Sequence, residues 1–403
     1  MKRTINMLQE FSLPLIAGVL VALVWANVNH HGYEHFLHYP IFGHDFTILG
    51  HELNFHFLFN DIFMVFFFGI AAVEITQSVI PGGSLNPISK AINPLMGTLG
   101  GVLGPVGVFF LLCAILPLDS VLTEGVTRAT ILNGWGIPTA TDIALAWLVA
   151  RLVFGNKHPA VSYLLLLAVA DDAIGLGIIA VFYPDPNHPV EVYYLGLTVL
   201  GMIISFAFRK MGVKSMWLYL LFGGVLSWLG LIMAHLHPAL ALVFIVPFMP
   251  ADTDPSHHHD ELFEDEEHDH STLVDFEHKF KLFVDLGLLG FGIANAGVVF
   301  SNMNVVTWII LASLLIGKTV GITLFGFGAQ LMGSKLPDGM NLKSLVIAGM
   351  VAGLGLTVAL FVAGEAYTHP GIQGAAKMGA LFSAAAAVIA LVFGKLFKIE
   401  KMD

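Results

Sequence analysis

Apolar windows of about 20 residues recur from one end of this chain to the other, roughly twelve in all. They fall at residues 11–28, 59–80, 94–117, 129–150, 159–182, 191–208, 215–234, 236–250, 282–300, 304–332, 343–366 and 373–395. A helix of that length crosses the hydrocarbon of a bilayer and satisfies every backbone N–H and C=O within itself. The pattern confines the chain to one fold class, an all-α polytopic membrane protein forming a single integral membrane domain over residues 1–403. Composition agrees: 56% of the 403 residues are hydrophobic and 12% charged, with a mean hydropathy of +0.81. Soluble domains carry about 25% charged residues. The 42 glycines and 32 phenylalanines suit closely packed helices with a lipid-facing surface. The single cysteine, Cys113, sits in an apolar run and excludes an intramolecular disulfide.

An even number of spans puts both termini on one side, and the basic residues say which. Fifteen of the eighteen Lys and Arg fall on the side of the N-terminus, from Lys2 and Arg3 through Arg151, Lys157, Arg209, Lys210 and Lys281 to Lys398 and Lys401. Arg128 and Lys377 lie toward the other face, and Lys318 lies inside a span. By the positive-inside rule both termini are cytoplasmic. Met-Lys-Arg ahead of the first window imitates a signal peptide, but the apolar core is too long and lacks a small-x-small cleavage site, so it is read as a helix.

Two connecting loops stand out. Residues 30–58 face outward and hold seven histidines, and HDFTILGHELNF alternates loosely around a glycine, so a small β-hairpin is expected there. Residues 251–270 (ADTDPSHHHDELFEDEEHDH) hold nine acids and five histidines on the cytoplasmic side. That tract is either solvated and disordered or a loose binder of Zn²⁺ or Ni²⁺, and its irregular spacing defines no ligand geometry. It accounts for nine of the net −11 charges. The remainder is close to neutral, which leaves no case for a nucleic-acid partner.

Chemistry is signalled by ionisable residues at membrane depth, where a charge costs at least about 2.5–3.5 kcal/mol and is a functional-site hypothesis by default. Asp171 and Asp172 sit side by side within VSYLLLLAVADDAIGLGIIAVFY. Adjacent carboxylates repel one another, so protons or a cation must balance them. Lys318, in LASLLIGKTVGITLF, is the lysine farthest from either face, and it calls for Asp171 or Asp172 as its partner. Asp142 follows Gly134, Gly136, Pro138, Thr139 and Thr141 in NGWGIPTATDIALAW. Gly349, Gly353 and Gly355 precede Thr357 in GMVAGLGLTVALF. Such interruptions are tolerated only where freed backbone lines a cavity or meets protein, and paired ones point to a transporter binding site. An acid such as Asp142 offsets positive half-helix N-termini, and a lysine such as Lys318 negative C-termini. Glu74 and His237 sit toward the ends of their spans.

These residues resemble a family. GWGIPTATDIALAW, AVADDAIGLGIIAVFY, FGIANAGV and LLIGKTVGITLF, with HLHPALALVFIVPFMP, GLGLTVALF, ANVN and NDIFMVFFFGIAAVE, are similar in order and content to the NhaA-type sodium/proton antiporters over nearly the whole chain. The resemblance implies twelve helices, an inverted repeat relating spans 3–5 to 10–12, and two unwound helices crossing near the midplane. It implies pH-regulated, electrogenic exchange of one Na⁺ or Li⁺ for two H⁺ in the bacterial inner membrane, without a cofactor, by a homodimer joined through the outer hairpin. Asp171 and Asp172 would be the cation and proton site, with Lys318 paired to Asp171. Thr141, Asp142, Gly353, Gly355 and Thr357 would support the crossing. Glu277 and His278, ahead of the ninth span, fall where the family places a pH-sensing entrance, and His237 matches a further pH-related histidine. Glu74 belongs to that entrance or to the scaffold. The chain departs from the family at Thr76, Ser78 and Lys281 and in the acidic His-rich insert, all in the region linked to pH activation.

Two other readings remain open on the residues: an exchanger of the same fold for K⁺ or a divalent metal, suggested by the histidines, and a non-transporting membrane sensor of ion or pH status. An enzyme finds no support, since the chain has no Walker motif, nucleophile elbow or HExxH spacing.

Overall fold

The computed structural model describes residues 13–43, 46–49, 51–86, 88–119, 121–122, 125–185, 188–251 and 271–402. The acidic His-rich tract, with its alternative readings as solvated chain or metal binder, lies outside the described residues. Among the described residues nearly all regular structure is helical. Seven helices are long and apolar enough to cross a membrane: Phe55–Val79, Ala91–Ile115, Pro159–Phe182, Val192–Lys210, Met216–Met233, Val305–Leu331 and Pro370–Leu396. Two further pairs, Arg128–Thr139 with Ile143–Phe154 and Leu342–Ala352 with Leu356–Ala366, bend by 51° and 48° at short breaks, raising the number to nine if each is one span. Leu13–Val28 and Pro238–Phe248 are shorter apolar helices. Thr272–Asn295 is a 24-residue helix that carries Asp275, Glu277, Lys279, Lys281 and Asp285.

That last helix begins ten residues before the apolar window at 282–300, so Glu277 and His278 lie within it and not ahead of it. Hydropathy misses the extension because its driving force is one-sided. Phe276, Phe280 and Phe283 recur at helical spacing, and Phe280 stacks on Phe66 with ring centroids 4.7 Å apart.

The segment 30–58 contains the strands Thr47–Ile48 and His51–Glu52, paired antiparallel with Thr47 opposite Glu52. It also contains a helix at His30–His38, which no apolar periodicity announced. Tyr33 anchors that helix: its ring is buried and its hydroxyl donates to the Ile293 carbonyl at 2.7 Å.

The chain divides into two compact units. One comprises Met1–His35, Ala91–Ile178 and Phe291–Asp403; the other comprises Phe36–Lys90 and Ile179–Gly290. The first holds both bent pairs and the helices bearing Asp171 and Lys318. A close backbone contact joins Ala91–Ile115 to Val305–Leu331, where a Cβ at Gly100 would overlap the Gly321 carbonyl and one at Gly321 the Gly100 carbonyl. Gly104 meets Gly317 in the same way. Small residues four apart on both helices let the backbones touch, the usual route to helix association in lipid. Burial separates inner from outer helices: 61% of the apolar window of Pro159–Phe182 is covered by protein, against 17% for Val192–Lys210, which leaves the latter to lipid.

Three helices open with the same dipeptide. His158, His237 and His369 each precede a proline at the first helical position, and each accepts a hydrogen bond at Nδ1 from the backbone N–H two residues on, at 3.0, 3.3 and 3.3 Å. Burial pushes the His158 pKa below the ordinary histidine value, which favours the neutral ring that a cap through Nδ1 needs.

Candidate functional site

The two breaks meet inside the first unit. After Thr139 the chain leaves the helix through Ala140 and Thr141, and Asp142 takes an extended conformation as N-cap of Ile143–Phe154. Gly353 and Gly355 interrupt the second pair at the same depth in its sequence. The Asp142 N–H donates to the Leu354 carbonyl at 2.6 Å. Both glycines sit in close quarters. A Cβ on Gly355 would stand 2.7 Å from Leu314 Cδ2 and 3.2 Å from the Ala140 carbonyl, and one on Gly353 3.0 Å from the Leu314 carbonyl.

Asp142 serves two helices at once. Its Oδ1 accepts from the Leu145 N–H at 3.1 Å, in the first turn of its own helix. Its Oδ2 accepts from the Thr357 N–H at 3.3 Å and the Thr357 hydroxyl at 3.0 Å, in the first turn of Leu356–Ala366. One carboxylate thus faces two positive helix ends. Each N-cap is worth about 0.5–2 kcal/mol. Asp142→Ala is expected to lower stability by roughly the sum of two caps, about 1–4 kcal/mol, whereas Asp142→Asn keeps both acceptor bonds at one oxygen and loses less. Thermal unfolding in detergent distinguishes the two; equal loss in both would assign the effect to charge and not to capping.

Thr141 links this crossing to the acidic pair. Its hydroxyl lies 2.7 Å from Asp171 Oδ2 and 3.0 Å from the Ala352 carbonyl, the C-terminal end of Leu342–Ala352, and it accepts from Lys318 Nζ at 2.6 Å. A hydroxyl has one proton, so it donates to the carboxylate or to the carbonyl at any moment, never to both. Lys318 Nζ also pairs directly with Asp171 Oδ2. Lysine, aspartate and threonine are all fully or almost fully buried, at 0, 0 and 1% exposure. A wide π-helical turn, Ser313–Gly317, immediately precedes Lys318; such turns insert a residue and re-aim the side chains that follow.

The second oxygen of Asp171 has no hydrogen-bond partner although it is buried. It faces Gly101, where even an added Cβ would stand 3.7 Å away. A buried carboxylate oxygen left this way is a place for a proton or a cation. Asp172, about 100° further round the helix, is only half-buried and lies within Coulombic reach of Lys318.

The remaining sequence candidates lie in the second unit, where Glu74 and Glu277 belong to a separate group of charges. Glu74 is within Coulombic reach of Glu277, Lys281 and Asp285. Glu277 accepts from Gln77 Nε2 at 3.0 Å and stands 3.8 Å from Lys281 Nζ, a solvent-screened i,i+4 pair of small energetic weight. His278 is exposed. Thr76 and Ser78 turn their hydroxyls back onto the Ala72 and Ile75 carbonyls of their own helix. His237 is the helix cap described above.

Sequence comparison bears on the whole chain. Residues 2–395 match the family model of Na⁺/H⁺ antiporter 1. The chain belongs to this family. A Na⁺/H⁺ antiporter NhaA from Desulfitobacterium hafniense (strain DSM 10664 / DCB-2) is 58% identical over 401 residues, covering 100% of this chain and 98% of the relative. Na⁺/H⁺ antiporter NhaA 2 from Pelobacter propionicus is 58% identical and the NhaA of Geobacter sulfurreducens 56% identical, each over 402 residues and 100% of both chains. Membership in a bacterial multi-pass membrane family fits the helices found, and it sets the residues above among transporters and not enzymes. Three contributors to this family member's core lie outside the motifs above. Ser383 accepts from the Gly355 N–H at 3.1 Å, Gly100 admits Val305–Leu331, and Gly101 faces Asp171. The glycine spacing at 97, 100, 101 and 104 was a visible signal; Ser383 had none.

Proposed function

We propose that the chain is a secondary Na⁺(Li⁺)/H⁺ antiporter that exchanges one cation for about two protons at Asp171 and Asp172. The observation that carries this reading is the buried Asp171 carboxylate, tied to Lys318 and Thr141 through one oxygen and open at the other. A dehydrated Na⁺ needs oxygen ligands, and the carboxylates with neighbouring backbone carbonyls are of that type. The two carboxylates must be balanced when no cation is bound, by protons and by the Lys318 ammonium. A cation that takes the same oxygens displaces two protons, one from Asp172 and one from the Lys318–Asp171 pair, and two protons that return displace the cation. Coupling then needs no second site, only access that alternates between the two sides. Release of two protons for one cation makes the exchange electrogenic. No cofactor enters it.

Twelve spans are supported by the three additional helices, Leu13–Val28, Pro238–Phe248 and Thr272–Asn295, which overlap the apolar windows not otherwise accounted for. The order long helix, broken helix, long helix occurs twice, over residues 91–182 and 305–396, as a structural repeat requires. The charge tally supports cytoplasmic termini in the inner membrane. A homodimer joined at the outer hairpin is supported by Ile41, Phe42, Phe46 and Leu49, all exposed on that segment.

Inverted vesicles preloaded with protons test the exchange. Dye dequenching on addition of Na⁺ or Li⁺ between pH 6 and 9 is expected, and Asp172→Asn should abolish it with the protein present and folded. Normal exchange by that variant would remove Asp172 from the site, and a flat wild-type trace with every cation would remove the exchange function itself. For pH regulation, Glu277→Gln with His278→Ala is expected to move the pH profile; an unmoved profile ends the sensing role.

A further inference from the structure

Three metal-ligand side chains converge in the second unit, and none belongs to the proposed exchange site. Asp185 and His188 lie in the connector after Pro159–Phe182, and His235 lies in the connector between Met216–Met233 and Pro238–Phe248. One ligand atom from each is within 4.8 Å of the other two. Asp185 Oδ2 and His188 Nδ1 are 2.8 Å apart, and the His188 and His235 rings stack with centroids 4.7 Å apart and planes 15° from parallel. Backbone hydrogen bonds hold the connectors together: the Asp185 N–H donates to the His235 carbonyl at 3.0 Å and the Glu191 N–H to the Ala234 carbonyl at 3.2 Å.

The backbone at His235 is a second, independent sign. The helix Val225–Met233 ends with the His235 N–H donating to the Ile232 carbonyl and the Leu236 N–H to the Leu231 carbonyl. This is the Schellman arrangement, whose left-handed residue is usually glycine. Here it is histidine at φ +58°. A β-carbon in that conformation carries a steric cost that glycine avoids, and residues held so cluster at functional sites. A surface His–Asp pair alone would not call for a second imidazole in a strained position beside it.

We propose that Asp185, His188 and His235 form a binding site for a divalent transition metal, Zn²⁺ foremost. Two imidazoles and a carboxylate suit Zn²⁺, whereas Na⁺ and other hard cations seek all-oxygen sets, so this chemistry is distinct from that of the exchange site. Tetrahedral coordination with bonds of about 2.0–2.1 Å needs the ligand atoms closer together than 4.8 Å. The side chain of His188 is 57% exposed and has room to rotate inward. Three protein ligands leave a fourth position for water. The bound metal staples the two connectors and so fixes the ends of Val192–Lys210 and Met216–Met233. On the topology proposed above, both connectors face outward and take metal from outside the cell.

The test is equilibrium dialysis of the full-length purified chain, free of any polyhistidine tag, against Zn²⁺ alone. Wild type is compared with His188→Ala and with His188→Ala/His235→Gly, and each protein is melted with Zn²⁺ and with EDTA. The histidines of 30–58 and 252–270 are the same in every protein, so the difference isolates this site. Glycine at 235 relieves the left-handed strain, so the double variant should melt in EDTA no lower than wild type. The expected result is one fewer Zn²⁺ per chain in the double variant and loss of the Zn²⁺-induced rise in melting temperature. Unchanged Zn²⁺ stoichiometry, or an undiminished Zn²⁺-induced rise in the double variant, overturns the proposal. This outcome is independent of whether the chain exchanges Na⁺.

Discussion

Lys318→Ala is expected to destabilise the folded protein by about 3–5 kcal/mol, the range found when one partner of a buried ion pair is removed. The lysine is fully buried and pairs with a fully buried Asp171. Its loss strands a carboxylate whose other oxygen already lacks a hydrogen bond, leaving Thr141 as its remaining hydrogen-bond partner. Replacing both partners by neutral groups of similar shape should recover most of the loss, because desolvation of the pair then disappears with its attraction. The cycle of Lys318→Met, Asp171→Asn and the double variant therefore separates structure from transport. The double variant is expected to melt near wild type yet to give no Na⁺-dependent dequenching. If Lys318→Met alone leaves the melting temperature unchanged, the buried pair carries no stability. If the double variant still exchanges Na⁺, neither residue is part of the site.

The second large effect concerns a residue with no side chain. Gly321→Val is expected to cost about 3 kcal/mol, the upper end for overpacking. An added Cβ overlaps the Gly100 carbonyl, and backbone cannot rotate aside as a side chain can. The helices must separate, and Lys318, three residues earlier on the same helix, is drawn from Asp171 and Thr141. Gly321→Val should therefore impair exchange as well as melting. Gly328→Val is the control, since a Cβ at Gly328 meets nothing within 4 Å. Melting of detergent-purified proteins with vesicle exchange on the same variants checks both effects. Equal losses at 321 and 328 would trace the effect to β-branching in a helix and not to the crossing.

Much of this is legible in the sequence. The apolar windows, the placement of Asp142 after a Gly- and Pro-broken stretch, and the second break at Gly353 and Gly355 are local features, and local features survive in one dimension. The physics of the intramembrane charges also required partners, and it restricted Lys318 to one of two aspartates. Other elements were not readable. The helix His30–His38 is held by burial of Tyr33 and its bond to Ile293, 260 residues away. The early start of Thr272–Asn295 comes from aromatic packing on one face, which an averaged hydropathy dilutes. Glu74, Glu277 and His278, which the resemblance assigns to a pH-sensing entrance, lie in the other compact unit from the aspartates, a placement that no local pattern shows.

The sequence by itself determined that this chain lies in a membrane, where most of its apolar helices fall and where two of them break, because a bilayer demands apolar length and internal backbone pairing from each segment separately. Only the tertiary structure decided that Asp142 caps two helices and that the Thr141 hydroxyl stands between a carboxylate and a helix end with one proton for either, and it put Lys318 on Asp171, the partner that the family resemblance implied. It also brought Asp185 and His188 to His235. Those contacts join residues from 30 to more than 200 positions apart. Their formation depends on how closely whole helices approach, which glycine contacts and side-chain shape set and no local pattern records.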